Sequence, residues 1–112
     1  MESVLLEKLS DMATESHAKI QKDFADINPV TGINVGMRKV GIPADVMTID
    51  CLKTGKRIII ILHDLQPDII QYQFSFKNQD PADKFETLLY KDLTVQIIYD
   101  WMRIYFSKAS ES

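Results

Sequence analysis

The stretch Arg57–Asp68, RIIIILHDLQPD, sets five aliphatic residues in a row, Ile58 to Leu62, between a cation and a His-Asp pair. That run is far shorter than the roughly 20 apolar residues needed to span a bilayer. Four consecutive β-branched isoleucines favour a strand over a helix. The strand must then carry apolar side chains on both of its faces, and each face needs a cover.

Its neighbours extend the pattern. The segments Asp45–Leu52, Arg57–Asp64 and Ile69–Lys77 all read as strands, joined by KTGK and LQPD. Connections this short cannot make a parallel crossover, so the strands form an antiparallel meander. Gly55 suits the left-handed position of a hairpin turn. A three-residue loop at Lys53–Gly55 sets Ile49 opposite Ile59 and Met47 opposite Ile61. A four-residue loop at Leu65–Asp68 sets Ile61 opposite Tyr72 and Ile59 opposite Phe74. One face then holds Met47, Ile49, Cys51, Ile59, Ile61, Tyr72, Phe74 and Phe76. The other is polar at its margins, with Thr48, Asp50, Gln71, Gln73 and Ser75, and carries Ile58, Ile60 and Leu62 down its centre. In this register Ile59→Asp unfolds the protein, because it buries an unpaired carboxylate, and Gln73→Asp is tolerated.

The flanks supply helices. From Ser3 to Asp26, residues Leu5, Leu9, Met12, Ala13, Ser16, Ile20 and Phe24 fall on one stripe about 100° wide, and Asn28-Pro29 ends the run. The segment Asn28–Pro43 holds three of the four glycines and reads as a connector, or alternatively as an edge strand over Ile33–Met37. Asp83 to Ser107 reads as a helix or helix pair, capped by Asp83 with Glu86 three residues on and broken near Lys91-Asp92. Beyond that break the apolar residues cover an arc of about 220°, too wide for a simple surface helix. Residues 107–112 are expected to form a frayed tail. The expectation is one α+β domain over 1–112: an N-terminal helix, a three-stranded antiparallel meander, and a C-terminal helix or helix pair packed on one face.

Composition narrows the function. A net charge of −3 argues against a general affinity for nucleic acid or anionic lipid. A single cysteine, Cys51, excludes an intramolecular disulfide. The segment MESVLLEKLSDM has glutamate where a secretory signal needs basic residues, so a cytoplasmic protein is expected.

No motif carries chemistry strongly. His63 and Asp64, adjacent on a strand, point to opposite faces and cannot chelate one ion, so with Asp68 they mark the strand end and its turn. Cys51 falls on the core face beside Arg57 and reads as a small hydrophobe. The Gly32–Gly41 loop, with Gly36, Arg38 and Lys39, is the candidate for a small-molecule, nucleotide or nucleic-acid binder, yet it matches neither phosphate-loop pattern. Lys53, Lys56 and Arg57 would add charge to a nucleic-acid surface. No catalytic set, metal site or cofactor is expected. The surplus apolar surface instead predicts a protein-binding or adaptor module that pairs with itself as a homodimer, or with another protein. Trp101, Met102, Tyr105 and Phe106 on the last helix and Ile60 on the sheet are the expected interface residues.

Overall fold

The structure is a computed structural model that describes residues 4–25 and 27–107; most of the tail expected over 107–112 lies outside them. In chain order the elements are α1 (Val4–Asp23), β1 (Pro29–Asn34), α2 (Gly36–Lys39), β2 (Ala44–Cys51) and β3 (Lys56–His63). They continue with β4 (Ile69–Phe76), β5 (Glu86–Leu89), a 3₁₀ turn (Tyr90–Asp92) and α3 (Val95–Ser107). The class is α+β, as the hydrophobic periodicity predicts, but the antiparallel meander has five strands in the order β1-β2-β3-β4-β5. None of the described helices is long and apolar enough to cross a membrane.

Helices α1 and α3 cover one face of the sheet. Leu6, Leu9, Ala13 and Ile20 of α1 and Ile98, Tyr99, Met102 and Phe106 of α3 share a core with Met47, Ile49, Ile58, Ile60, Leu62 and Ile70. Fully burying each such aliphatic side chain contributes about 1.5–3 kcal/mol. Ser16 joins the helices, its Oγ lying 2.8 Å from the Met12 carbonyl and 2.9 Å from that of Val95. Tyr90 ties the sheet to α1 by donating its hydroxyl to the Leu5 carbonyl at 2.7 Å.

The strand register corrects the expected one by a single residue on both sides of β3. Met47 faces Ile60 and Ile49 faces Ile58, while Ile58 faces Phe74 and Ile60 faces Tyr72. The β2–β3 loop holds four residues, because Cys51 pairs with Lys56 and Leu52 joins the turn. Gly55 closes it at φ +77°, donating its N–H to the Cys51 carbonyl at 2.8 Å. Only β3 is turned over relative to the expectation, and the reason lies in burial. This register places three aliphatic residues of β3 (Ile58, Ile60, Leu62) under the helices, and the other would have placed two, Ile59 and Ile61.

Two further expectations change. The edge strand runs over Pro29–Asn34 rather than 33–37. Proline is tolerated at the first position of an edge strand, and Asn34 ends it by accepting the Gly36 N–H on Oδ1 at 2.7 Å. Residues 86–89 form β5 rather than a helical turn, with Leu88 opposite Ile70 and Glu86 opposite Tyr72. The local capping signal there yields to the free edge of β4. The break expected near Lys91-Asp92 is the 3₁₀ turn, and α3 begins after Thr94, whose Oγ1 accepts the Ile97 N–H at 3.2 Å.

Candidate interaction surface

Three of the five residues expected at an interface lie in the core of the single chain. Ile60, Met102 and Phe106 are at most 3% exposed. The correction follows from the register: the stripe Ile58, Ile60, Leu62, for which the sequence predicts an external cover, lies beneath α3 and α1. Trp101 and Tyr105 are half-buried against β4. Trp101 stacks on Tyr72 with ring centroids 4.5 Å apart, and Tyr105 lies 5.0 Å from Phe74. The Tyr105 hydroxyl donates to the Ser75 carbonyl at 2.7 Å.

The glycine-loop cations are partly committed. Arg38, on α2, forms two bidentate ion pairs at once. Its Nε and Nη2 donate to Asp45 at 2.7 and 2.9 Å, while Nη1 and Nη2 donate to Asp64 at 2.9 and 2.8 Å. The two carboxylates push the guanidinium pKa further up, and Arg38 holds the Asp64 carboxyl below its ordinary range. Gly36 and Lys39 sit on the same short helix, exposed. Arg57, expected beside Cys51, instead faces Asp50 and clamps it in a fork at 2.6 and 2.9 Å. Lys56 is buried and donates from Nζ to the Tyr105 carbonyl at 3.0 Å. These engagements take Arg38, Lys56 and Arg57 out of a free cationic surface.

His63 is the last residue of β3, and its Nδ1 accepts the Leu65 N–H at 3.2 Å. The strand does stop there, but Asp64 has a role the sequence did not reveal, as the second anchor for Arg38. Cys51 is buried in the core. Among the described residues no group of three or more His, Cys, Asp or Glu side chains is placed to hold a metal ion.

What remains open is the two lateral edges of the sheet. Beyond Glu86, β4 continues to Phe76 with no β5 partner. A cleft of about 440 Å³ lies there, lined by Phe74, Phe76, Asp80 and Lys84 among others. Gln73 spans one side of this gap, exchanging hydrogen bonds with Ala82 at 3.0 Å in each direction and donating to the Lys84 carbonyl at 2.8 Å.

The opposite edge is β1. It pairs with β2 along its whole length, Pro29 with Cys51 through Asn34 with Val46, and among the described residues no strand lies on its other side. Val30, Ile33 and Val35, with Val40 and Ile42 in the connection that follows, are each between 41% and 75% exposed. From Asn28 to Met37 the chain has no charged residue. Sequence reasoning placed only part of this segment in a strand; the cue it left unused was Pro29 itself, which tolerates a strand start, followed by the β-branched Val30, Thr31 and Ile33.

No protein-family model, no curated protein and no solved structure matches this chain.

Proposed function

We propose that this chain is a small protein-binding module whose docking site is the free edge of β1. The observation that carries the reading is the combination of an unpaired six-residue strand edge, no charge from Asn28 to Met37, and exposed Val30 and Ile33 along it with Val35 just beyond. An unpaired strand edge presents a row of N–H and C=O groups that pair with any extended chain, and proteins ordinarily block such edges with lysine, bulges or a covering loop. Here Pro29, at one end, is the one residue of β1 that withholds a donor. The ligand that fits is an extended, uncharged, β-branched segment held by main-chain hydrogen bonds.

The reading is tested with a generic strand probe: a lysine-flanked peptide of alternating Val and Thr, titrated to millimolar concentration while backbone amide shifts are followed by NMR. Shift changes should concentrate on residues 29–35 and disappear in the Thr31→Lys, Ile33→Lys double variant. No change in monomeric protein, or changes centred on another element, would refute the site.

A further inference from the structure

Resting on that reading, we infer that the partner of β1 is β1 of a second copy of this chain, paired antiparallel across a two-fold axis normal to the sheet. The two five-stranded sheets then join into one of ten strands, with the helices of both copies on the same side.

The charge distribution selects this partner. The chain carries a net charge of −3, so two copies repel at most points of contact. The segment Asn28–Met37 is the exception, being free of charge over ten residues, so a copy meets no like charge along the seam. The other lateral edge contrasts with it. β5 has four residues, begins with Glu86 and is flanked by Lys84 and Lys91, the charged and shortened pattern that guards an edge.

Symmetry then restricts the register. A two-fold normal to the sheet keeps each face on its own side, so only residues on the same face can stand opposite each other. Thr31 and Ile33 share the helix-bearing face, since they pair with Ile49 and Met47. Val30, Gly32 and Asn34 share the opposite one. One residue must therefore lie on the axis itself and face its own copy. With Gly32 on the axis, Thr31 of each copy faces Ile33 of the other, a β-branched cross-strand pair that covers the exposed Ile33. A side chain at position 32 has room, because an added Cβ would lie 3.5 Å from Thr48 Oγ1, an ordinary contact.

Size-exclusion chromatography with light scattering, from 1 to 300 µM, reads the assembly. The expected mass at high concentration is twice 12.9 kDa, and Thr31→Lys with Ile33→Lys should return it to 12.9 kDa with the melting temperature of the dilute, monomeric wild type. Val40→Lys, off the strand on a still more exposed aliphatic residue, should leave the dimer intact. Single cysteines at positions 31, 32 and 33 then locate the axis. Residues facing each other across a strand pair have Cα atoms roughly 4.5–5.5 Å apart, within disulfide reach, so under mild oxidation one variant of the three should cross-link to itself and the other two should not. The native Cys51 is buried and stays out of the reaction. A monomer at 300 µM, a dimer that survives the double lysine variant, or cross-linking at none or all of the three positions would overturn the proposal. If the protein is a monomer and the Val-Thr probe still shifts residues 29–35, the second copy is wrong and the strand-binding reading stands. If both experiments are silent, the reading itself falls.

Discussion

Lys56 is buried to 6% exposure under α3, an unusual place for an ammonium group. Its stem follows Ile58 and Ile60 on the helix-bearing face, and its Nζ reaches the Tyr105 carbonyl in the last turn of α3, 5.0 Å from the centre of the Tyr105 ring. A cation at a helix C-terminus satisfies an otherwise orphaned carbonyl and complements the helix dipole. Lys56→Met keeps the stem and removes the charge, and should cost about 1–3 kcal/mol, seen as a lower urea midpoint with an unchanged slope. Gln73 belongs to the same scale. The sequence placed it on a solvent face where aspartate would be harmless, yet it is 8% exposed and its carboxamide both donates to and accepts from the 82–84 backbone. Gln73→Asp loses the donor and should destabilise the fold by about 1–3 kcal/mol in the same urea assay. Asp64 supplies a pH signature. Arg38 depresses its pKa below the ordinary 3.8, so its contribution to stability is complete above that pH and is lost as pH falls through the lower folded value. The melting temperatures of the wild type and Asp64→Asn should differ at pH 7 and converge below pH 3.8. Added salt should narrow the gap at pH 7, because the pair is solvated.

At the scale of elements, β3 decides the arrangement of the sheet. It is apolar on both faces, so its side chains alone allow either orientation. In the observed one Ile60 is wholly buried and Ile61 is only partly so. Ile60→Ala should therefore cost about 2–5 kcal/mol, and Ile61→Ala well under half of that, by chemical denaturation. The opposite ranking would mean the register is the other one. Ile59 is 5% exposed between Thr48 and Gln73 on the face away from the helices, so Ile59→Asp should still unfold the chain, by circular dichroism. The entry to α3 depends on Thr94, and Thr94→Ala should lower stability by about 1 kcal/mol, with Thr94→Ser restoring most of it.

For the whole molecule, the apolar arc of the last helix is covered inside one chain except at Ile104, which is 49% exposed. Met102 and Phe106 fill the core, while Trp101 and Tyr105 close its border against Tyr72 and Phe74. Met102→Glu places an unpaired carboxylate among them and should unfold the chain outright. The loss should appear by circular dichroism at both 1 and 100 µM, because Met102 is buried within its own chain. A folded Met102→Glu monomer would put the helix back at an interface.

Periodicity and turn chemistry were enough to determine the class, the antiparallel order of the three central strands, the helical ends and the burial of Cys51. These are local properties, written in side-chain spacing and in residues such as Gly55 that tolerate special backbone angles. The end of β3 at His63-Asp64 was legible for the same reason. Four things were decided only by the tertiary structure. The facing of β3 depended on which side could bury three aliphatic residues instead of two. The strand at Glu86–Leu89 existed only because β4 offered it an unpaired edge, against a local signal for a helix. The candidate docking edge at β1 was missed because its property is the lack of a neighbour in space, and no residue type encodes that. The same holds for the clamp on Arg38, whose two carboxylates lie 7 and 26 positions away in the chain and meet only in the folded sheet.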